Sequence, residues 1–259
     1  MKRIRKITSG AIHLSLAILV FLVLWEISGR LGLFVNPLFL PPISKVLAIL
    51  GDLLAAGDVQ KHALISLRRA LTGFCFGLAF SIPAGLIVGW SRRVENFLNP
   101  LLQLFRNLPI LALFPVFVMF FGIGELSKTV IIFWAVIWAT LLNTISGVKS
   151  VDPLLIKASR SMGTGSIRLF VTVVLPAALP HIFTGVRLSA ANSILVLVAA
   201  EMIGASRGLG YALYFYQMNM MIPQMYAYLI IMAIIGVGLN AFLEFIEKRS
   251  FRWRDTVKA

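Results

Sequence analysis

The chain has 259 residues, 59% of them hydrophobic and only 13% charged, against roughly 45 to 50% and about 25% in an average soluble domain. That balance excludes a water-soluble globular protein, because so few charged groups cannot cover its surface. The formal charge of +14 is carried by short Lys and Arg clusters between apolar blocks, not by one face with interleaved aromatics. It therefore points to membrane orientation and anionic lipid, and away from nucleic acid.

Six apolar blocks, at about 11–28, 70–91, 107–122, 127–148, 177–203 and 222–245, are predicted to cross a membrane as helices, since a bilayer core of about 30 Å needs about 20 apolar residues. The first run, Ile7 to Trp25, is longer than a signal core of about 7 to 15 residues and has no small-x-small exit before Glu26, so it is expected to stay as a span. After it, Asn36-Pro37 and Pro41-Pro42 should hold the chain extended, because proline restricts both itself and its predecessor. Ile43 to Ala56 then has the apolar spacing of an amphipathic helix at the membrane surface.

The lone Cys75 lies in the second block, where it is expected to pack, and a single cysteine allows no disulfide framework. His13, His62 and His181 are far apart and have no Cys or paired carboxylate at ligand spacing, so no metal site is expected.

Orientation follows from the alternate loops, because cytoplasmic segments are enriched in Lys and Arg. One set, comprising Lys2, Arg3, Arg5, Lys6, Arg92, Arg93, Arg106, Lys149, Lys157, Arg160, Arg168, Arg187, Lys248, Arg249, Arg252, Arg254 and Lys258, holds about 17 charges. The other, Arg30, Lys45, Lys61, Arg68, Arg69, Lys128 and Arg207, holds about seven. Both termini are thus expected in the cytoplasm, together with the long polar segment Lys149 to Leu175 between spans four and five. Within it, Asp152-Pro153 is a helix start and Gly163 a stop, so a short stiff helix is predicted between them. Pro176 and Pro180 should break the chain before span five.

In this loop Lys157-Ala158-Ser159, Gly163 after a gap of three, and Val173-Val174-Leu175-Pro176 after a gap of nine resemble the cytoplasmic signature of binding-protein-dependent ABC permeases, Glu-Ala-Ala, three residues, Gly, nine residues, Ile-x-Leu-Pro. The resemblance to the nitrate, sulfonate and taurine branch extends through Leu40-Pro41-Pro42, Ser66-Leu67-Arg68-Arg69, Arg106-Asn107-Leu108-Pro109, Thr184-Gly185-Val186-Arg187 and Ala200-Glu201 to Gly208-Leu209-Gly210. It covers about residues 37 to 250. The resemblance implies an all-α type I importer permease of about six spans, one domain over 1–259, in the bacterial inner membrane. It also implies a homodimer whose loop, at Lys157, Ala158, Ser159, Gly163, Leu175 and Pro176, docks on an ABC ATPase dimer. A separate solute-binding protein would deliver the solute. Lys157 stands where relatives usually have an acidic residue and Ser159 where they have Ala.

Polar residues within the apolar blocks, Asn143, Ser189, Asn192, Ser193 and Glu201, are candidates for a solute pathway or gate, intramembrane polarity being costly without a use; Arg106 and Asn107, where the third block begins, suit either gating or headgroup snorkelling. Ser189, Asn192 and Ser193 share one helical face, which suits either a passage or hydrogen-bonded helix packing. Glu201 is expected to pair locally, with Arg207 as one partner, or to belong to an outer gate. The Met218–Met225 run offers an adaptable docking surface or loop packing.

No Gly-x-x-x-x-Gly-Lys-Ser/Thr loop and no His-Glu-x-x-His pattern occurs, so no catalytic site and no cofactor are expected here. ATP and Mg would sit on the partner ATPase. A self-contained carrier, the rival from another class, would need a carboxylate–histidine relay or matched broken helices. The expected cargo is a small nitrate-, sulfonate- or taurine-type anion, with bicarbonate or a thiamine-type pyrimidine precursor as alternatives.

Overall fold

The computed structural model describes residues 2–32 and 39–250, with side chains from Leu16 onward. Every regular element among them is helical: α1 (Lys2–Leu31), α2 (Ile43–Ala55), α3 (Asp58–Trp90), α4 (Arg92–Arg106), α5 (Phe114–Phe121), α6 (Glu125–Lys149), α7 (Pro153–Ser161), α8 (Ser166–Leu169), α9 (Leu175–Gly204), α10 (Leu209–Met218) and α11 (Ile222–Ser250). Four described helices are long and apolar enough to cross a membrane: α3, α6, the continuous stretch Ser166–Gly204, and α11. The bent pair Arg92–Arg106 and Ile110–Phe121 raises the number to five. The expected first span lies within α1. The extended segment expected at Asn36-Pro37, the side chains of the N-terminal basic cluster and of His13, and Arg252, Arg254 and Lys258 lie outside the described residues.

The chain forms two compact units. The first comprises the described residues up to His62 with Ala212–Met232. Here α2 places Val46 and Leu50 against Ala227 of α11, beside Tyr226, Ile230 and Ile231. The apolar stripe expected on a membrane-surface helix is thus largely spent on another helix. Glu26 of α1 closes the N-terminus of α2, its carboxylate accepting from the Ser44 backbone N–H at 3.0 Å and the Ser44 hydroxyl at 2.8 Å. A carboxylate there satisfies orphan donors and meets the positive helix end. Beside it Trp25 donates to the Pro41 carbonyl at 3.0 Å.

The second unit, Ala63–Tyr211 with the described residues from Ala233, is built on α6. Gly73, Gly77, Gly85 and Gly89 of α3 face Ile132, Val136, Thr144 and Val148, so closely that an added Cβ would lie 2.5 to 2.9 Å from them. Both rows advance by four, eight and four residues in the same direction, so α3 and α6 are parallel neighbours, packed through small residues as membrane helices commonly are. Against another side of α6, Gly185 of α9 meets Thr140 and Asn143, while Gly147 of α6 meets Ala178 and His181. Those numbers run in opposite senses, so α9 is antiparallel to α6.

Since α3 and α6 are parallel, residues 91–124 must return the chain across the thickness of the unit. They do not do so as the single helix expected at 107–122. Instead α4 and the Ile110–Phe121 segment meet at 88°, at Asn107-Leu108-Pro109, where proline ends the helix before it. The 12 residues beyond the elbow reach only about 18 Å as helix, too short for a bilayer.

The break expected at Pro176 and Pro180 is also absent. The stretch Ser166–Gly204 is continuous through a π-helical turn at Phe170–Val174, whose wider ring joins the Leu175 N–H to the Phe170 carbonyl. Such a turn relocates the hydrogen bond that Pro176 cannot make and relieves its clash with the preceding turn. Cys75 is exposed rather than packed, because it lies off the glycine face of α3.

Candidate functional site

Two constellations stand at opposite ends of α6, which as a 25-residue helix is about 37 Å long. The first follows its C-terminus. Asp152 caps α7, its Oδ1 accepting from the Leu154 N–H at 2.8 Å, and Pro153 occupies the first turn. At the far end Gly163 takes φ +77°. There the Gly163 N–H donates to the Arg160 carbonyl at 2.9 Å and the Thr164 N–H to the Ser159 carbonyl at 3.2 Å, the double closure that a left-handed residue makes possible. The helix is therefore short and pinned at both ends.

Its outward side exposes Leu154, Leu155, Lys157 and Ala158, whereas Ser159 is buried. Ile156 packs against the buried cluster formed by Val148, Val151, Val174, Ala178 and Ile182, which includes residues of both α6 and α9. Leu175 and Pro176, the end of the signature, are the first residues of α9 after the π turn. Beside this junction Trp90 of α3 meets Phe170 edge-on at 5.3 Å. The two border an apolar groove of about 420 Å³ with Pro83, Leu86, Ile87, Ser166 and Ile167.

The second constellation gathers around Arg69, one of the basic residues assigned above to a loop. It is 7% exposed, on α3. Its Nε and Nη2 grip both oxygens of Glu125 at 2.6 and 2.5 Å. Nη1 reaches Glu201 Oε1 at 2.8 Å and the Arg207 carbonyl at 2.6 Å. Glu201 is wholly buried and also accepts from the Ser66 hydroxyl, at 2.8 Å to each oxygen, and from the Gly210 N–H at 2.9 Å. Ser66 in turn accepts from the Leu209 N–H at 2.8 Å. The buried Lys128 holds the Gly124 carbonyl at 3.0 Å, 3.9 Å from Glu125.

Two cations thus face two carboxylates, and for Arg69, Lys128 and Glu201, which are buried, an unpaired charge would be very costly. Glu201 pairs with Arg69, and Arg207 supplies only its main-chain carbonyl. The Gly208-x-Gly210 bend exists for this carboxylate. Gly208 has φ +128°, and an added Cβ would lie 2.4 Å from Glu201; at Gly210 it would lie 2.4 Å from the Val198 carbonyl.

The remaining candidates divide differently. Ser189 is buried, accepting from the Thr140 hydroxyl at 3.0 Å and donating to the Val186 carbonyl at 2.9 Å. Ser193 is buried and donates to Ala190. Both lie on the side of α9 that packs within the unit, while Asn192 and Asn143 are half-buried, Asn143 donating to the Ala139 carbonyl. Arg106 and Asn107 are exposed at the elbow, each bonded to Gln103.

The apolar runs do not single out Ser66 and Arg69, which precede the block at 70–91, nor Glu125 and Lys128, which stand at the edge of the block at 127–148, where a charge reads as a loop residue. The three-residue spacing of Ser66 and Arg69, and the same spacing of Glu125 and Lys128, were the available signals. No group of three or more His, Cys, Asp or Glu residues able to hold a metal occurs among the described residues.

Comparison with known proteins agrees with this architecture. The family model described as binding-protein-dependent transport system inner membrane component matches residues 81–252. A protein of Bacillus subtilis named putative aliphatic sulfonates transport permease protein SsuC is 32% identical over 92% of this chain and 86% of its own length. The taurine transport system permease protein TauC of Escherichia coli is 34% identical over 92% and 88%. Among solved structures, an inward-facing MetNI methionine ABC transporter chain aligns with TM-score 0.64 at 19% identity, covering 76% of this chain and 96% of that one, which speaks to the fold alone. This chain belongs to the inner membrane components of binding-protein-dependent transport systems: it is a multi-pass permease subunit of an ABC importer, with the ATPase on a separate partner subunit.

Proposed function

We propose that the chain passes a small sulfonate-type anion from a solute-binding protein to the cytoplasm by alternating access, driven by an ABC ATPase dimer that grips α7 of each of two permease copies. The observation that carries this reading is the doubly pinned α7, whose inner side packs on both α6 and α9. A push on its exposed side is conveyed to two membrane helices without slack. Lys157 on that side would meet an acidic residue of the ATPase.

The basic asymmetry supports a cytoplasmic position for α7 and for both termini, and it strengthens once Arg69 and Lys128, which lie inside the protein, are taken out of the outer set. A sulfonate-type cargo is favoured by the names of the two relatives. ATP and the delivering protein bias a two-state equilibrium, each through its higher affinity for one state.

The test is reconstitution of the permease with its ATPase and receptor in liposomes. Uptake of labelled taurine or ethanesulfonate should require ATP and receptor together. Gly163→Val, which forces a β-branched residue to positive φ, should retain ATP hydrolysis or lose ATPase assembly, and in either case lose uptake. Downhill flux through the permease alone at carrier-like rates would overturn the ATP-driven reading, and full uptake by Gly163→Val would overturn the role of α7.

A further inference from the structure

The ion cluster around Arg69 is unevenly exposed. The side chains of Glu201, Lys128 and Arg69 are 0%, 4% and 7% exposed, whereas that of Glu125 is 66% exposed. The buried pair is anchored: Glu201 has Ser66 and Gly210 as further donors, and Arg69 keeps the Arg207 carbonyl on its Nη1. Glu125 is different. Among the described residues it is held only by the outer fork of Arg69, with Lys128 at 3.9 Å, and its exposed carboxylate can exchange that fork for water without being buried unpaired.

If the Glu125 carboxylate turns away, Arg69 and Lys128 retain two positive charges against the single charge of Glu201. What remains is a preformed cationic seat with a bidentate guanidinium fork, half in contact with solvent. That fork matches any oxyanion presenting two oxygens in a plane.

We propose that Glu125 is a resident stand-in and that the transported oxyanion displaces it, two oxygens of its sulfonate taking the Arg69 fork while the third turns to Lys128. The proposal rests on the sulfonate reading above and deepens it by locating a binding site. The seat is at the end of α6 opposite α7, so with α7 in the cytoplasm it faces the side from which a receptor delivers. Occupied by Glu125, the seat is electrically satisfied when empty of solute. Occupied by solute, it frees a carboxylate at the N-terminus of α6, so loading is coupled to a change at the α3–α6–α9 junction.

The experiment measures binding of ethanesulfonate by calorimetry to the permease–ATPase complex in nanodiscs. If Glu125 fills the seat in about nine molecules of ten, Glu125→Gln should raise the apparent affinity about tenfold. Adding Lys128→Met should reverse most of that gain. Glu125→Asp, which keeps the charge but shortens its reach, should gain less, and it keeps the idea testable should the neutral variant fail to assemble.

An affinity unchanged or weakened in both Glu125 variants would overturn the seat, as would a gain that survives both Lys128→Met and Arg69→Lys. Receptor-dependent uptake by the unaltered complex separates the two ideas. Uptake without a gain in the variants defeats the seat alone, whereas binding to the seat without uptake defeats the sulfonate transport reading.

Discussion

At the scale of single residues, the physics is dominated by charges that have no water to turn to. Glu201 is 0% exposed, and its carboxylate is held by Arg69, Ser66 and the Gly210 amide. Removing the guanidinium by Arg69→Met strands it, at a cost of about 3 to 5 kcal/mol. Arg69→Met should therefore lower the thermal midpoint of the purified protein sharply, and the double variant Arg69→Met, Glu201→Leu should recover much of the loss. If the double variant is no more stable than the single one, the two residues do not act as a pair. Which residue Glu201 would choose was not legible in the sequence: Arg207 is six positions away in the chain, yet Arg69, 132 positions away, lies on the neighbouring helix face.

At the scale of elements, closeness between helices depends on what glycine leaves out. The Gly73, Gly77, Gly85, Gly89 row of α3 lets α6 approach until a Cβ at Gly77 would lie 2.5 Å from Val136. Gly77→Val should force the helices apart, lowering the thermal midpoint or preventing assembly. Gly51→Ala on α2, with nothing within 4 Å, should be neutral or stabilising by roughly 0.5 to 1 kcal/mol through helix propensity alone. Equal effects at the two positions would remove the close-packing account. The four-residue glycine period was present in the sequence, but a period of small residues names a face and not its partner; Ile132, Val136, Thr144 and Val148 complete it only when α6 is placed alongside.

At the scale of the whole molecule, the question is which end of α6 meets the ATPase. A cysteine placed at Lys157 in a Cys75→Ser background should react with an impermeant maleimide only in inside-out vesicles. Labelling from the outer face of intact cells would put α7 out of reach of any ATPase.

By itself the sequence determined the class of environment, the helical content, the stiff α7 between Asp152 and Gly163, and the family, because hydropathy, capping residues and a spaced signature are local properties of the chain. Tertiary structure alone decided the remainder: the 88° elbow at Pro109, the unbroken passage through Pro176 and Pro180, and the gathering of Ser66, Arg69, Glu125, Lys128 and Glu201. Neither the angle at a proline nor a π turn within a helix is written in apolar periodicity, and the clustered charges find their partners only across helix interfaces. Periodicity along one helix carries no record of which neighbour it will meet.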